Sequence, residues 1–316
     1  MTELQHGSAP PQRMCLRRTA WALGCPGLLM AVALFSATAF GAGPFVAAGA
    51  TPAGRANPFQ ATTSLAARQD AIRCIPLARM DAQAKAKVNA VLSNVTVFRR
   101  LPVRVIDCDP DLYLFLVRHP DVVVNIWETL KLSQLQVRQA APEMFRVVDG
   151  DGTTATFEYL YRSHDTHVVY AEGAYTGAVL ARPVKGRGLI ILKTGYVRET
   201  DGRSYITNRM DVFVNVEPGA AELVARTLHP LVGRIVDNNF SQSVGFVGSL
   251  SRTSEVNSRG VQRLAEKLTH VQPEVRRQLA ELAGGVAERT EPHAPRPAKD
   301  QPLMASHEEA EAKDKR

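Results

Sequence analysis

The sequence predicts an α+β fold, in which a run of antiparallel strands is followed by one long helix. Between Ser133 and Val216 the apolar residues recur at every second position, and the breaks between runs are turn chemistry. Between Pro218 and Leu250 the apolar period becomes helical. Before both lies a strand-like run, Val95–Ile106, followed by two short helical stretches.

In chain order, residues 1–42 read as an export signal. Arg13, Arg17 and Arg18 precede a charge-free apolar run, and Ala37-Thr38-Ala39 offers a cleavage site. An uncleaved anchor in the inner membrane is the other reading, because the run is long enough to span a bilayer. Either reading puts the remainder in the periplasm or cell envelope. Residues 43–63, rich in Ala, Gly, Pro and Thr, read as a flexible linker. Residues 64–93 carry two leading helical pieces divided at Pro76, with Leu65, Ile72, Leu77, Met80, Val88, Val91 and Leu92 as apolar positions.

In Val95–Ile106, valines and Leu101 roughly alternate with arginines, and Pro102 argues for an edge strand or a bulge. Asp109-Pro110 is a helix start, a capping carboxylate followed by proline at the first helical position. His119-Pro120-Asp121 stops that helix and opens a second, which turns Val123, Ile126, Trp127 and Leu130 inward. Six strands then follow: 134–139, 144–148, 154–162, 167–180, 189–198 and 204–216. The turns between them include Asp149-Gly150-Asp151-Gly152, Ser163-His164-Asp165, Lys185-Gly186 and Asp201-Gly202. Tight turns between consecutive strands mean an antiparallel meander. Phe157, Tyr159 and Tyr161 share one face of their strand, and Ile206, Met210, Val212, Val214 and Val216 share one of theirs.

The long helix carries the stripe Ala221, Val224, Leu228, Leu231, Ile235, Val236, Phe240, Val244 and Val247, with a bend expected at Pro230. Residues 251–260 read as a loop and 261–269 and 273–283 as short helices, the last closed by Gly284-Gly285, so that 251–286 is a C-terminal helical segment. Residues 287–316, Pro-, Ala- and charge-rich, read as a disordered tail.

The charge balance is +7. Basic clusters such as Arg99-Arg100 are short and lack interleaved aromatics, which argues against nucleic acid. In an exported protein mild basicity fits an anionic membrane surface or wall polymer, or a plain solvated surface. Outside the signal two cysteines remain, Cys74 and Cys108. In an oxidising compartment they would form one disulfide, and two separate buried thiols are the alternative. No spacing of Cys and His suggests zinc, and no cofactor fingerprint is present. Asp107, Asp109 and Asp111 lack the glycine and glutamate of a calcium loop, so capping explains Asp109 better. His164 and His167 fall at a hairpin and read as solvated. Glu158, Glu172, Arg209 and Asp211 read as the solvent face of their strands. No residue is identified as catalytic.

The order strand, two short helices, antiparallel strands, long helix resembles the START-like or helix-grip (SRPBCC) superfamily over roughly Val95–Leu250. The feature that carries it is DPDLYLFLVRHPDVVVNIW after the first strand. The resemblance implies a curved antiparallel sheet of about seven strands gripping the long C-terminal helix, in a domain covering residues 94–250, with the extra helices at both ends as additions. It also implies a space between sheet and helix for a lipid or other apolar small molecule, lined by Trp127, Phe157, Tyr159, Met210, Leu231 and Ile235. The expected function is an exported, non-enzymatic carrier of such a molecule. Two alternatives stand beside it: an envelope structural or interaction protein with a filled core, and a cyclase- or hydrolase-type enzyme on the same fold.

Overall fold

The computed structural model describes residues 57–176, 183–200, 202–217 and 229–290, with the side chains of residues 229–232 outside that description. The export-signal reading, most of the linker, the helix start at 218–228, residues 291–316 and the side chain of Leu231 therefore lie outside the described residues.

Two leading helices come first, α1 (Leu65–Arg73) and α2 (Ala82–Leu92), joined by a 3-10 turn. Ser64 and Asp81 cap them through side-chain oxygens that accept from the Ala67 and Ala84 N–H groups. Strands β1 (Val97–Arg100) and β2 (Arg104–Asp107) follow, then α3 (Pro110–Arg118) and α4 (Pro120–Thr129). The meander is β3 (Gln136–Ala141), β4 (Met144–Val148), β5 (Thr153–Arg162), β6 (Thr166–Tyr175), β7 (Val184–Arg198) and β8 (Ser204–Val216). Helices α5 (His229–Glu266) and α6 (Pro273–Thr290) close the described chain.

Among the described residues the strands form one eight-stranded antiparallel sheet in the order β1-β8-β7-β6-β5-β4-β3, with β2 also on β8. The predicted first strand is two pieces along one edge, separated at Pro102, which has no N–H for a ladder. That edge is not bare. Residues of the expected linker pair with it, since Thr62 exchanges both backbone hydrogen bonds with Arg100 and the Pro58 carbonyl accepts from Val103. Lys185-Gly186, expected as a turn, lies inside β7, because Gly186 pairs with both Gly173 and Val216.

The sheet has two buried faces. The concave face packs against α3, α4, α5 and α6. Met210, Val212, Val214 and Val216 of β8 join Trp127 of α4 and Val236, Phe240, Val244 and Val247 of α5 in one core. The convex face is covered by α1 and α2, whose Ala67, Ala71, Val88 and Val91 pack on Phe98, Val168, Tyr170, Leu189, Ile191 and Phe213. A bulge after Tyr159 changes the pairing from Tyr159–Val169 to Tyr161–Val168. It moves Tyr161 off the face predicted for it and onto the convex side, where its hydroxyl accepts from Arg79.

Two further corrections concern the helices. The expected loop 251–260 is helical, interrupted only at Asn257 (φ −150°, ψ 55°). Thr253 and Ser254 donate to carbonyls four residues back, and Asn257 Oδ1 accepts from the Gly260 N–H as a fresh N-cap. Gly284-Gly285 do not end α6, because burial of Leu279, Ala283 and Val286 against the concave core carries the helix through them. Residues 287–290 are thus helical.

Candidate functional site on the concave face

Of the residues expected to line a ligand space, Trp127, Phe157 and Met210 are buried in the concave core, with Tyr159 partly buried against it. Trp127 meets Phe246 edge-on at 5.4 Å between ring centroids. Phe157 stacks on Phe145 at 4.9 Å, and Tyr159 stands edge-on to both rings at 6.3 Å. Ile235 does not join them. It is 37% exposed, whereas Val236 beside it is buried, because the apolar stripe of α5 turns one residue further round.

The polar groups on this face divide into two sets. Tyr113 of α3 reaches the sheet and hydrogen-bonds Thr194 Oγ1 at 3.1 Å, with its hydroxyl also donating to Asn208 Oδ1. Asn208 donates in turn to the Ile206 carbonyl, so this buried network is satisfied. The second set surrounds Tyr159. Its hydroxyl donates to the Val117 carbonyl at the end of α3, and its ring stands 6.2 Å from the His167 ring. The Arg162 guanidinium lies over the Tyr159 ring at 5.1 Å and pairs with Glu143.

His167 is 1% exposed and neither of its ring nitrogens has a hydrogen-bond partner. Asp121, in the first turn of α4, is 2% exposed and its Oδ1 is likewise unpartnered. Burial pushes His167 down to about 4, with Arg118 and Arg162 adding to the effect. Burial pushes Asp121 up to about 6, opposed by N–H groups of its own helical turn and by Arg138. Tyr159 is raised by burial, with Asp121 adding to the shift. Buried polar atoms left unsatisfied each carry a desolvation penalty of about 1–3 kcal/mol.

Sequence reading missed both residues. His167 was assigned to a solvated hairpin, yet Val168 and Tyr170 face the convex core, which turns His167 inward with Val169 and Ala171. Asp121 reads as a helix opener and is one, but α4 lies so deep that nearly all its residues are buried. His164 is an exposed turn residue, as expected, its ring tilted against Tyr196 at 4.2 Å between centroids. Asp109 caps α3 by accepting from Asp111 and Leu112 N–H groups, and Asp149 organises its turn similarly.

No protein-family model matches the chain, and no curated protein matches it in sequence. Solved structures overlap with it in part. A conserved protein from Geobacillus kaustophilus shares 9% identity over 46% of this chain and 90% of its own, with a TM-score of 0.34. Truncated norcoclaurine synthase from Thalictrum flavum shares 10% over 47% and 94%, with a TM-score of 0.28. The di-domain ARO/CYC BexL of the BE-7585A biosynthetic pathway shares 16% over 51% and 52%, also at 0.28. Overlaps this shallow carry no residue role and no activity across. The fold class rests on the topology itself, an antiparallel sheet around a long helix.

The two cysteines are both free. Cys74 Sγ accepts from Arg209 Nη2 at 3.2 Å on the convex side, whereas Cys108 is buried in the concave core beside the Val247 carbonyl. Each thiol has its own surroundings on its own side of the sheet, and no disulfide joins them. Burial raises the Cys108 thiol to about 12, which keeps it protonated and unreactive. Among the described residues no group of three or more His, Cys, Asp or Glu is placed to hold a metal, and no helix is long and apolar enough to cross a membrane.

Proposed function

We propose that the protein is an exported carrier for an apolar small molecule with one hydrogen-bonding end, held against the concave face. The apolar body would lie on the Phe145–Phe157–Tyr159 wall, and the polar end would meet His167 and Asp121. The carrying observation is the buried His167 ring, 6.2 Å from the Tyr159 ring and with neither nitrogen hydrogen-bonded among the described residues. A neutral imidazole offers a ligand one donor and one acceptor. Export rests on the composition of residues 1–42.

The interaction-protein alternative loses weight, because the leading helices it would offer to a partner are already used to seal the convex face. The enzyme alternative gains one supporting observation: His167, titratable, stands 6.2 Å from the Tyr159 ring, and the charge of Asp121 is felt at the Tyr159 hydroxyl.

The test is native mass spectrometry of the full chain from its own host, before and after organic extraction, repeated on His167→Phe. The expected result is a released molecule that carries at least one oxygen or nitrogen, with occupancy reduced in the variant. A bare protein mass from native source overturns the carrier reading. Unchanged occupancy in His167→Phe removes His167 from the site.

A further inference from the structure

Among the described residues, α1 and α2 cover only part of the convex face. Helix α2 ends at Leu92, and beyond it the sheet continues past Asn94 into a polar groove of about 770 Å³. Its floor is a single rung of the ladder crossing five strands. Arg146 pairs with Thr156, Thr156 with Glu172, Glu172 with Arg187 and Arg187 with Asn215. Lys185, two residues before Arg187 on the same face, adds a second cation at that end. Thr154 and Glu217 also line it, with small residues such as Ala155, Gly173 and Ala174 between.

Arg146, Arg187 and Lys185 are exposed, and among the described residues none has an ion-pair or side-chain hydrogen-bond partner. That contrasts with the rest of the face. Under α1 and α2, Arg100 is paired with Asp70 and Asp211, and Lys87 with Glu158. Arg146 on β4 and Arg187 on β7 stand three strand spacings apart along the rung, which is about 14 Å, with Asn215 of β8 beyond Arg187. Between them stand hydroxyls and Glu172, whose carboxylate accepts from Tyr170. A ligand matched to this pattern has acidic groups set wide apart on a hydroxyl-bearing backbone. A densely charged strand does not match it, because Glu172 would face a phosphate, and no aromatic side chain lines the groove to stack a base.

We propose that this groove binds a short acidic oligosaccharide, its acidic groups on Arg146 at one end and on Arg187 and Lys185 at the other. The site is separate from the concave face and does not depend on a ligand there. The fixed strands hold the cations in register, so little side-chain ordering precedes binding beyond the guanidinium arms themselves.

The test is titration calorimetry on the full chain at low and near-physiological salt with three probes: an oligogalacturonate, a neutral malto-oligosaccharide of equal length, and oligothymidylate. Saturable binding of the oligogalacturonate, weakened by salt and absent with the neutral sugar, is expected. Arg146→Gln and Arg187→Gln should each lower affinity by about tenfold, since each removes a charge-assisted contact. His167→Phe, on the other face, should leave it unchanged. Circular dichroism of the variants confirms that the exposed substitutions leave the fold intact. No saturable binding, equal binding of the neutral sugar, or full retention in the double variant overturns the proposal. Tighter binding of oligothymidylate also overturns it, in favour of a plain polyelectrolyte surface.

Discussion

The two faces of the one sheet are built from alternate residues of the same strands, yet they solve the burial of polar groups in opposite ways. On the convex side the deepest charge, Asp211, is fully buried and answered: Arg100 Nε lies 2.6 Å from its Oδ1, and Arg100 also reaches Asp70 of α1. On the concave side His167 is as deep with neither ring nitrogen hydrogen-bonded among the described residues, and Asp121, held by N–H groups of its own turn, leaves Oδ1 without a partner. Burial drives pKa shifts on both sides, but only on the convex side do ion partners oppose it strongly. A protein-internal ion pair is a structural seam, whereas a buried polar group without a partner carries its full desolvation cost. The contrast assigns the convex cluster to holding α1 on the sheet.

The largest effect should come from breaking the answered side. Arg100→Ala leaves Asp211 buried with only Arg209, 3.6 Å away, to offset it. Removing one partner of a buried pair costs about 3–5 kcal/mol, which urea unfolding would register as a fall in midpoint. Replacing both partners by apolar residues, Arg100→Met with Asp211→Leu, should recover most of that loss. If the single variant costs under about 1 kcal/mol, the seam holds nothing together.

A matched pair of phenylalanines sharpens the comparison. Phe213 is fully buried in the convex core and pairs with Phe98 at 4.9 Å. Phe213→Ala should cost about 3–5 kcal/mol. Phe157→Ala on the concave face removes the same atoms, but from a wall that faces the proposed ligand. It should cost about 1–2 kcal/mol less in extracted protein and also lower ligand occupancy. Equal losses, with occupancy unchanged, would mean that the concave face is plain core.

Much of this arrangement was legible in the sequence because period and turn chemistry are local. The Asp109-Pro110 start, the Asp149 turn, the shared face of Met210, Val212, Val214 and Val216, and the edge position of Pro102 all follow from a few neighbouring residues. What was illegible depends on distant parts. Asp211 reads as solvent-facing until α1 covers it, and no strand pattern announces that cover. Tyr161 changes face because of one bulge residue, a shift that strict alternation cannot anticipate. The continuation of α5 through Ser251 and Ser254 depends on their burial against other helices, which outweighs their weak helix propensity. The candidate site suffered most, since His167 is one register step from the solvated reading.

The smallest effects are in pH dependence, where the two orphaned groups oppose one another. His167 titrates near 6.5 when unfolded and about 4 when folded. As pH falls through that window the unfolded chain takes up the proton first, so stability is lost. His119, lowered to about 4 mainly by burial, acts in the same direction. Asp121 runs the other way: it titrates at about 6 when folded and near 3.8 when unfolded, so the folded state takes up its proton first and gains as pH falls. Asp211, raised by burial, adds to the gain, so the variants rather than the parent's slope isolate each contribution. Asp121→Asn removes one gain, so the variant should be more stable than the parent at pH 7.5 and should decline more steeply on acidification. His167→Phe removes one loss, so its decline should be shallower. Each difference should be on the order of 1–3 kcal/mol. Thermal and urea unfolding at pH 4.5, 5.5 and 7.5, read as variant minus parent, cancels the convex ion cluster common to both. A steeper decline in His167→Phe, or a shallower one in Asp121→Asn, would show that these side chains find partners when folded, and the contrast between the two faces would be gone.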